Sequence, residues 1–154
     1  MPSPVIIFQS EEDLDFSVGE EKKVKDWIKK IIRNEGKTCG QLFYFFCTDE
    51  HLLNINKEFL NHKTYTDIIT FDYVEGKAIS GEIFISIDRV KENAKKYKQS
   101  FPHELARIMI HGVLHLCGYG DKKPADKKLM SQKEDEALLH LAKSRKPAVK
   151  AKRS

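Results

Sequence analysis

The 154-residue sequence has few cysteines and no long apolar run. Its three cysteines, Cys39, Cys47 and Cys117, are an odd number without the spacing of a disulfide framework, which predicts free thiols in a reducing compartment. No apolar segment approaches the roughly 18–20 residues that a membrane-spanning helix needs. Residues 1–8 lack the basic region and the long apolar stretch of a signal peptide. We therefore expect a cytoplasmic protein.

The positive charge of the chain is concentrated at its C-terminal end. The sequence carries 27 Lys/Arg and 23 Asp/Glu, a net charge of +4. Six of the basic residues and no acidic residue lie between Lys143 and Ser154, so the remainder carries 21 against 23, a net charge of −2. This composition predicts one domain over 1–143 and a disordered basic tail over 144–154. Such a tail either contacts nucleic-acid phosphates or only aids solubility, and the composition leaves both readings open.

Apolar periodicity predicts short strands interleaved with amphipathic helices. Strands are predicted at 5–9, 41–48, 66–73 and 81–87, and helices at 20–34, 50–60, 88–97, 101–117 and 125–143. This alternation indicates α+β or α/β, and we predict an α+β domain with a small mixed sheet of about four strands, about five helices, and a metal site at the end of a central helix. The predicted core set of the last helix is Leu129, Met130, Leu138, Leu139 and Leu141.

Two histidines four residues apart, His111 and His115, lie in the otherwise apolar segment 108–116. Residues at this spacing stack on one helix face about 5–6 Å apart at Cβ, so both imidazoles can reach one cation. Gly118 permits a sharp left-handed turn after the helix, and the returning chain offers Asp121 as a third ligand. This donor set suits zinc with one open position, and also nickel, iron or manganese. The other reading of Asp121 is a turn residue or the cap of the next helix.

The residue after the first histidine is Gly112. Metalloproteases of the HExxH type carry a glutamate there as general base. The base must therefore come from elsewhere, or the metal alone activates water, and the sequence assigns no catalytic base. Glu104 shares a helix face with His111 and His115, and either orients a ligand or lies at the surface about two turns away.

The segment HGVLHLCGY at 111–119 resembles the signature H-G-x-L-H-L-x-G-Y-D-H of the YbeY family of bacterial rRNA-maturation endoribonucleases. The resemblance continues over most of the chain. The segments similar to the family are 53–59 (its L-N-x-x-F/Y block), 66–71 (T-D-V-L-S-F), 81–86 (G-D-I-x-I-S), and Met130 with Glu134 (M-x-x-x-E). An ordered set of motifs over 53–134 is much more specific than any one of them.

This resemblance implies a single metal ion, usually taken as zinc, in a three-ligand site to which His111 and His115 contribute. It also implies cleavage of single-stranded RNA, processing of the 3′ end of 16S rRNA, and ribosome quality control in the bacterial cytoplasm. Asp121 stands where the family has its third histidine. Leu60 stands where many members have an arginine thought to contact phosphate, and His62 or Lys63 is then the candidate for substrate binding.

We therefore predict a zinc-dependent endoribonuclease with His111, His115 and Asp121 as metal ligands and with rRNA, the ribosome or ribosomal proteins as partners. We expect no membrane association, and the oligomeric state is left open. The first alternative is a metal hydrolase of another class, such as a metalloprotease, against which Gly112 counts. The second is a non-catalytic ribosome-associated module in which the metal only stabilises the fold.

Overall fold

A computed structural model describes residues 3–60 and 66–144. Its elements in chain order are β1 (Val5–Ser10), α1 (Glu21–Asn34), β2 (Thr38–Cys47), α2 (Asp49–Leu60), β3 (Ile68–Asp72), β4 (Ala78–Ser86), α3 (Ile87–Lys96), α4 (Phe101–Leu116) and α5 (Pro124–Ser144). Within this described part, no helix is both long and apolar enough to cross a membrane. From residue 145 on, the predicted basic tail lies outside the described residues, so the division at residue 143 stays a prediction.

The four strands form one mixed sheet with the order β1-β2-β4-β3. β1 pairs parallel to β2 and β2 parallel to β4, whereas β3 pairs antiparallel to β4. The antiparallel pair follows from the short turn at 73–77, because two strands joined by a tight turn must run in opposite directions. The predicted α+β domain with a mixed sheet and five helices is confirmed.

The main core lies between one face of the sheet and the helices α1, α4 and α5. Alternate residues of β2, namely Leu42, Tyr44 and Phe46, point into this core and are almost completely buried. On the opposite face, Leu52 of α2 forms a smaller cluster with Ile69. α4 is therefore a central helix, which is why its sequence is apolar on nearly all sides.

α4 packs unusually close to the sheet because position 112 has no side chain. A Cβ atom at Gly112 would lie 3.1 Å from side-chain carbons of both Ile68 and Ile83. The Tyr44 hydroxyl donates a hydrogen bond to the Met109 carbonyl (3.0 Å) and fixes the helix along its axis. These contacts determine where the helix holds its histidines relative to β3.

The core set predicted for the last helix is wrong at two positions. Leu129 is 43% exposed and Leu139 is 61% exposed. α5 contacts the domain along one narrow stripe, and only side chains three or four residues apart on that stripe are buried. The buried members of the stripe are Met130, Glu134, Ala137 and Leu141.

Candidate metal centre

The helix that carries the histidines has well-defined ends. The Ser100 hydroxyl accepts a hydrogen bond from the His103 backbone N–H (3.2 Å) and caps the N-terminus of α4. At the C-terminus, Gly118 has a φ of 110°, as the left-handed turn predicted there requires. The N–H of Gly118 bonds to the His115 carbonyl and that of Tyr119 to the Leu114 carbonyl. This pair of bonds is the Schellman motif, which ends a helix and reverses the chain.

The chain after this turn is tied to two other helices. The Tyr119 hydroxyl donates a hydrogen bond to Glu35 Oε1 (2.6 Å), at the C-terminus of α1. Lys133 of α5 forms an ion pair with the other carboxylate oxygen of Glu35 (3.2 Å). We call these three residues the Tyr119 anchor. Since the anchor fixes the chain two residues before Asp121, it returns that carboxylate to the face of α4 that carries the histidines.

His111, His115 and Asp121 converge on one point. Asp121 Oδ2 lies 3.3 Å from His111 Nε2 and 3.2 Å from His115 Nε2. The candidate ligand atoms of all three residues lie within 4.8 Å of one another. Two ligands bound tetrahedrally at zinc distances of about 2.0–2.1 Å lie about 3.3 Å apart. The spacing therefore fits a small divalent cation between the three atoms.

The outer nitrogen of each imidazole, Nδ1, lies within hydrogen-bond distance of an oxygen atom. His115 Nδ1 lies 2.8 Å from the Tyr119 carbonyl, which can only accept. His111 Nδ1 lies 2.6 Å from Glu134 Oε2. A metal-bound histidine carries its single N–H on the other ring nitrogen, so with Nδ1–H bonded to these oxygens both Nε2 atoms can present lone pairs to an ion beside Asp121. The bonds to Nδ1 thus hold both rings in the orientation that a metal ion between the three inner atoms needs.

Behind His111 lies a buried chain of charged groups. Glu134 Oε1 accepts a hydrogen bond from Arg107 Nη1 (3.0 Å), and Arg107 also forms an ion pair with Glu104. Glu104 is only 1% exposed, so the surface role is wrong. These carboxylates raise the pKa of the Arg107 guanidinium, which stays charged and fixes Glu134. A carboxylate that orients a ligand imidazole in this way is a common feature of metal sites.

The sequence pointed to Glu134 only as the last residue of a motif. Its contact with His111 joins positions 23 residues apart, and that contact depends on how α5 packs against α4. The four-residue spacing of His111 and His115 within one helix cannot reveal this contact. The useful signal was a glutamate at an otherwise apolar stripe position of α5, because a buried carboxylate needs a partner.

A cleft of about 310 Å³ opens in front of the three converging side chains. The residues that line it, among those described, are Thr66, Asp67, Ile68, Thr70, Arg107, Ile108, His111, His115 and Asp121. A larger groove of about 470 Å³ lies beside Phe16, Phe101 and Leu141. In the described part of the chain, the side chains with metal-ligand spacing converge at the smaller cleft. We therefore take this cleft, and not the larger groove, as the candidate active site.

Two predicted substrate-binding residues, His62 and Lys63, lie outside the described residues, and their role stays a prediction. Leu60 is the last residue of α2 and is 41% exposed. Gly112 faces Ile68 and Ile83 of the sheet. A protease-type glutamate at this position would have to displace these core side chains.

Comparison with known proteins gives consistent matches. The family model described as Endoribonuclease YbeY matches residues 7–142. An Endoribonuclease YbeY of Flavobacterium psychrophilum is 52% identical over 126 residues, 82% of this chain and 90% of the relative. The protein of the same name from Parabacteroides distasonis is 46% identical over 130 residues, 84% of this chain and 92% of the relative.

A solved structure supports the fold. The solution structure of TM1509 from Thermotoga maritima superposes with a TM-score of 0.64 and covers 89% of each chain. Its sequence identity to this chain is 24%, so this likeness concerns the fold alone.

Proposed function

The chain belongs to the YbeY endoribonuclease family, and from that premise we propose that it is a metal-dependent endoribonuclease that acts in rRNA processing. The convergence of His111, His115 and Asp121 in an open cleft is the observation on which this proposal depends. The substrate is RNA. Single-strand specificity, action at the 3′ end of 16S rRNA and a role in ribosome quality control are the finer parts of the proposal, and the family resemblance supports them.

We propose zinc as the metal ion. The two imidazoles, the carboxylate and the spacing of their atoms suit it, although the same donor set also accepts nickel, iron or manganese. When bound, the ion supplies Lewis acidity that polarises a phosphoryl oxygen and activates water.

The protein's own residues hold this centre and shape its surroundings. Glu134 and the Tyr119 carbonyl fix the two imidazoles in the tautomer that presents Nε2 to the ion. The Tyr119 anchor holds the loop that carries Asp121. Arg107 is the cationic side chain of the cleft wall among the described residues, and its ion pairs with Glu104 and Glu134 hold it there.

We propose a cytoplasmic location, with the ribosome or ribosomal proteins as partners. The three cysteines are free thiols in the structure, which fits a reducing compartment. The metalloprotease alternative finds no support, because the position of its glutamate is occupied by Gly112 against the sheet. The non-catalytic alternative predicts a protein that binds metal and leaves RNA intact.

The test is to measure metal content and cleavage of single-stranded rRNA together. We expect about one equivalent of metal in the wild-type protein, as a single three-ligand site predicts, and metal-dependent cleavage of RNA but not of a peptide. His115→Ala and Asp121→Ala should lose metal and lower cleavage more than about 100-fold. His140→Ala, in a groove between α5 and α1 away from the candidate ligands, is the matched control and should behave as wild type.

Two outcomes would contradict the proposal. Undiminished RNA cleavage by protein stripped of metal would exclude a metal-dependent nuclease. If Asp121→Ala binds metal as tightly as wild type, the third ligand is a different residue.

A further inference from the structure

The cleft in front of the metal centre contains a second carboxylate. Among the described residues that line it, the acidic side chains are Asp121 and Asp67. Asp121 belongs to the converging group, whereas Asp67 does not share the ligand spacing of that group. Asp67 therefore lines the same cleft as the three candidate ligands without being one of them.

Asp67 is held in place at the start of β3 by two neighbouring elements. Its carbonyl accepts a hydrogen bond from the backbone N–H of Ser86 (3.0 Å), at the end of β4. Its carboxylate atom Oδ2 lies 3.4 Å from the side-chain amide nitrogen of Asn93 in α3. The carboxylate is thus oriented by the fold itself and needs no metal to fix it.

The surroundings of Asp67 raise the pKa of its carboxyl group. Burial raises its pKa, and this is the largest effect; Glu104 raises it further, while His111 and Arg107 lower it, as does Asp67's own backbone N–H. Asn93, the side chain from α3, is neutral. The net result is a pKa above that of an ordinary aspartate, and a carboxylate with a raised pKa is a better proton acceptor.

We propose that Asp67 is the general base of RNA cleavage, an inference that rests on the proposed nuclease function. Asp67 accepts a proton from the water molecule that attacks the phosphodiester. As the bond between the water oxygen and phosphorus forms, the bond from phosphorus to the ribose oxygen breaks and its electron pair stays on that oxygen. The ribose oxygen takes up a proton, and Asp67 then releases its own to solvent, so no oxidant or reductant is needed.

Other described groups of the cleft are less suited to this role. Thr66 and Thr70 have hydroxyl groups that do not accept protons readily near neutral pH. Glu134 is already bonded to Arg107 and His111. Gly112 offers no side chain, and Asp121 is needed for the metal. Asp67 is the remaining carboxylate with access to the cleft.

The experiment compares Asp67→Asn with Asp72→Asn, an exposed aspartate at the far end of the same strand. Metal content, affinity for a fluorescent single-stranded oligoribonucleotide, and the cleavage rate at saturating enzyme are measured for both. We expect Asp67→Asn to bind metal and RNA within about twofold of wild type but to cleave about 10²–10⁴-fold more slowly. Asp72→Asn should cleave as wild type, so the cleavage rate falls in one variant while the affinity for RNA is unchanged in both.

A second variant keeps the inference testable if the amide is not tolerated. Asp67→Glu retains a carboxylate, and we expect it to keep part of the activity together with the pH dependence that Asp67→Asn loses. Cleavage by Asp67→Asn within about threefold of wild type would overturn the inference, since losing a general base costs at least about 10²-fold. So would a parallel loss of metal or RNA binding, which indicates a structural role. An inactive wild-type protein would instead overturn the proposed function.

Discussion

The buried carboxylate of Glu134 determines which nitrogen of His111 faces the metal. Its two oxygens are used differently, one by Arg107 and one by His111. In Glu134→Gln, Arg107 requires the amide oxygen as its acceptor, which leaves the amide NH₂ group facing His111 Nδ1. That imidazole would then carry its proton on Nε2, where the metal should bind.

We therefore expect Glu134→Gln to weaken metal binding about 10–100-fold, the usual effect of losing such a supporting group. Competition with a chelator of known affinity measures the change. Glu136→Gln, an exposed position two residues further along α5, is the control and should bind metal normally. Equal metal affinity in the two variants would show that Glu134 does not set the tautomer.

Asp67 also makes stability depend on pH. Burial raises the pKa of Asp67 in the folded protein, so folding favours the protonated acid. This contribution to stability is fully present below the pKa of an aspartate in the unfolded chain, about 3.9. It is lost as the pH rises through the pKa of Asp67 in the folded protein. An asparagine does not lose a proton. We expect metal-free Asp67→Asn to be more stable than metal-free wild type at neutral pH, and this advantage to disappear in acid, as measured by urea unfolding at both pH values. An advantage that is independent of pH would contradict the raised pKa.

At the residue scale the sequence predicted the convergent group, considered Glu104 as an orienting residue, and gave no role to Glu134 or Asp67. His111, His115 and Asp121 belong to one local motif, and helical spacing with a glycine turn is enough to bring them together. Glu104 lies on α4 with the two histidines, whereas Glu134 reaches the same region from α5 and Asp67 from the residue before β3. Their roles depend on packing between α4, α5 and β3, which no local pattern encodes.

At the scale of the element, the C-terminus of α4 depends on the backbone conformation of Gly118. A side chain at a φ of 110° is strained, and we expect Gly118→Ala to lower the free energy of unfolding by about 1–2 kcal/mol. Gly120→Ala is the matched control. Its Cβ atom would meet Asp126 at an ordinary 3.5 Å, and its φ is not positive. Urea unfolding of the metal-free proteins measures both, and equal stability would mean that the turn tolerates alanine.

The order and type of the elements were predictable, whereas their pairing was not. The alternating apolar residues of β2 and β4 and the helical stripes identify the strands and helices within a few residues. The position of β4 between β2 and β3 depends on contacts between distant segments. The exposed Leu129 and Leu139 show the same limit, since an apolar residue on a helix does not reveal how wide the buried stripe is.

On the scale of the whole molecule, the excess positive charge lies at the C-terminal end of the sequence, apart from the candidate ligands. Residues 1–142 carry a net negative charge, so the basic C-terminal tail is the part of the sequence suited to general phosphate contact. We expect replacement of its basic residues by glutamine to weaken RNA binding and to reduce the salt dependence of affinity, by up to about 0.7 in the log–log slope for each lost contact with a single strand. The residues to replace are Arg145, Lys146, Lys150, Lys152 and Arg153.

This variant keeps the full chain length and every candidate ligand, so its metal content should equal that of wild type. Fluorescence anisotropy with a labelled oligoribonucleotide at several salt concentrations measures the slope. An unchanged slope would assign the tail to solubility, the other reading that the sequence left open.

The Tyr119 anchor has a consequence for how the enzyme acquires its ion. Because hydrogen bonds and an ion pair to α1 and α5 hold the loop of Asp121, the site is assembled by folding and not by metal uptake. Metallation can then follow synthesis as a separate, reversible step. Ligand type, site geometry and metal availability then decide together which ion occupies the site, and we expect exchange of that ion to change the rate of RNA cleavage without unfolding the protein.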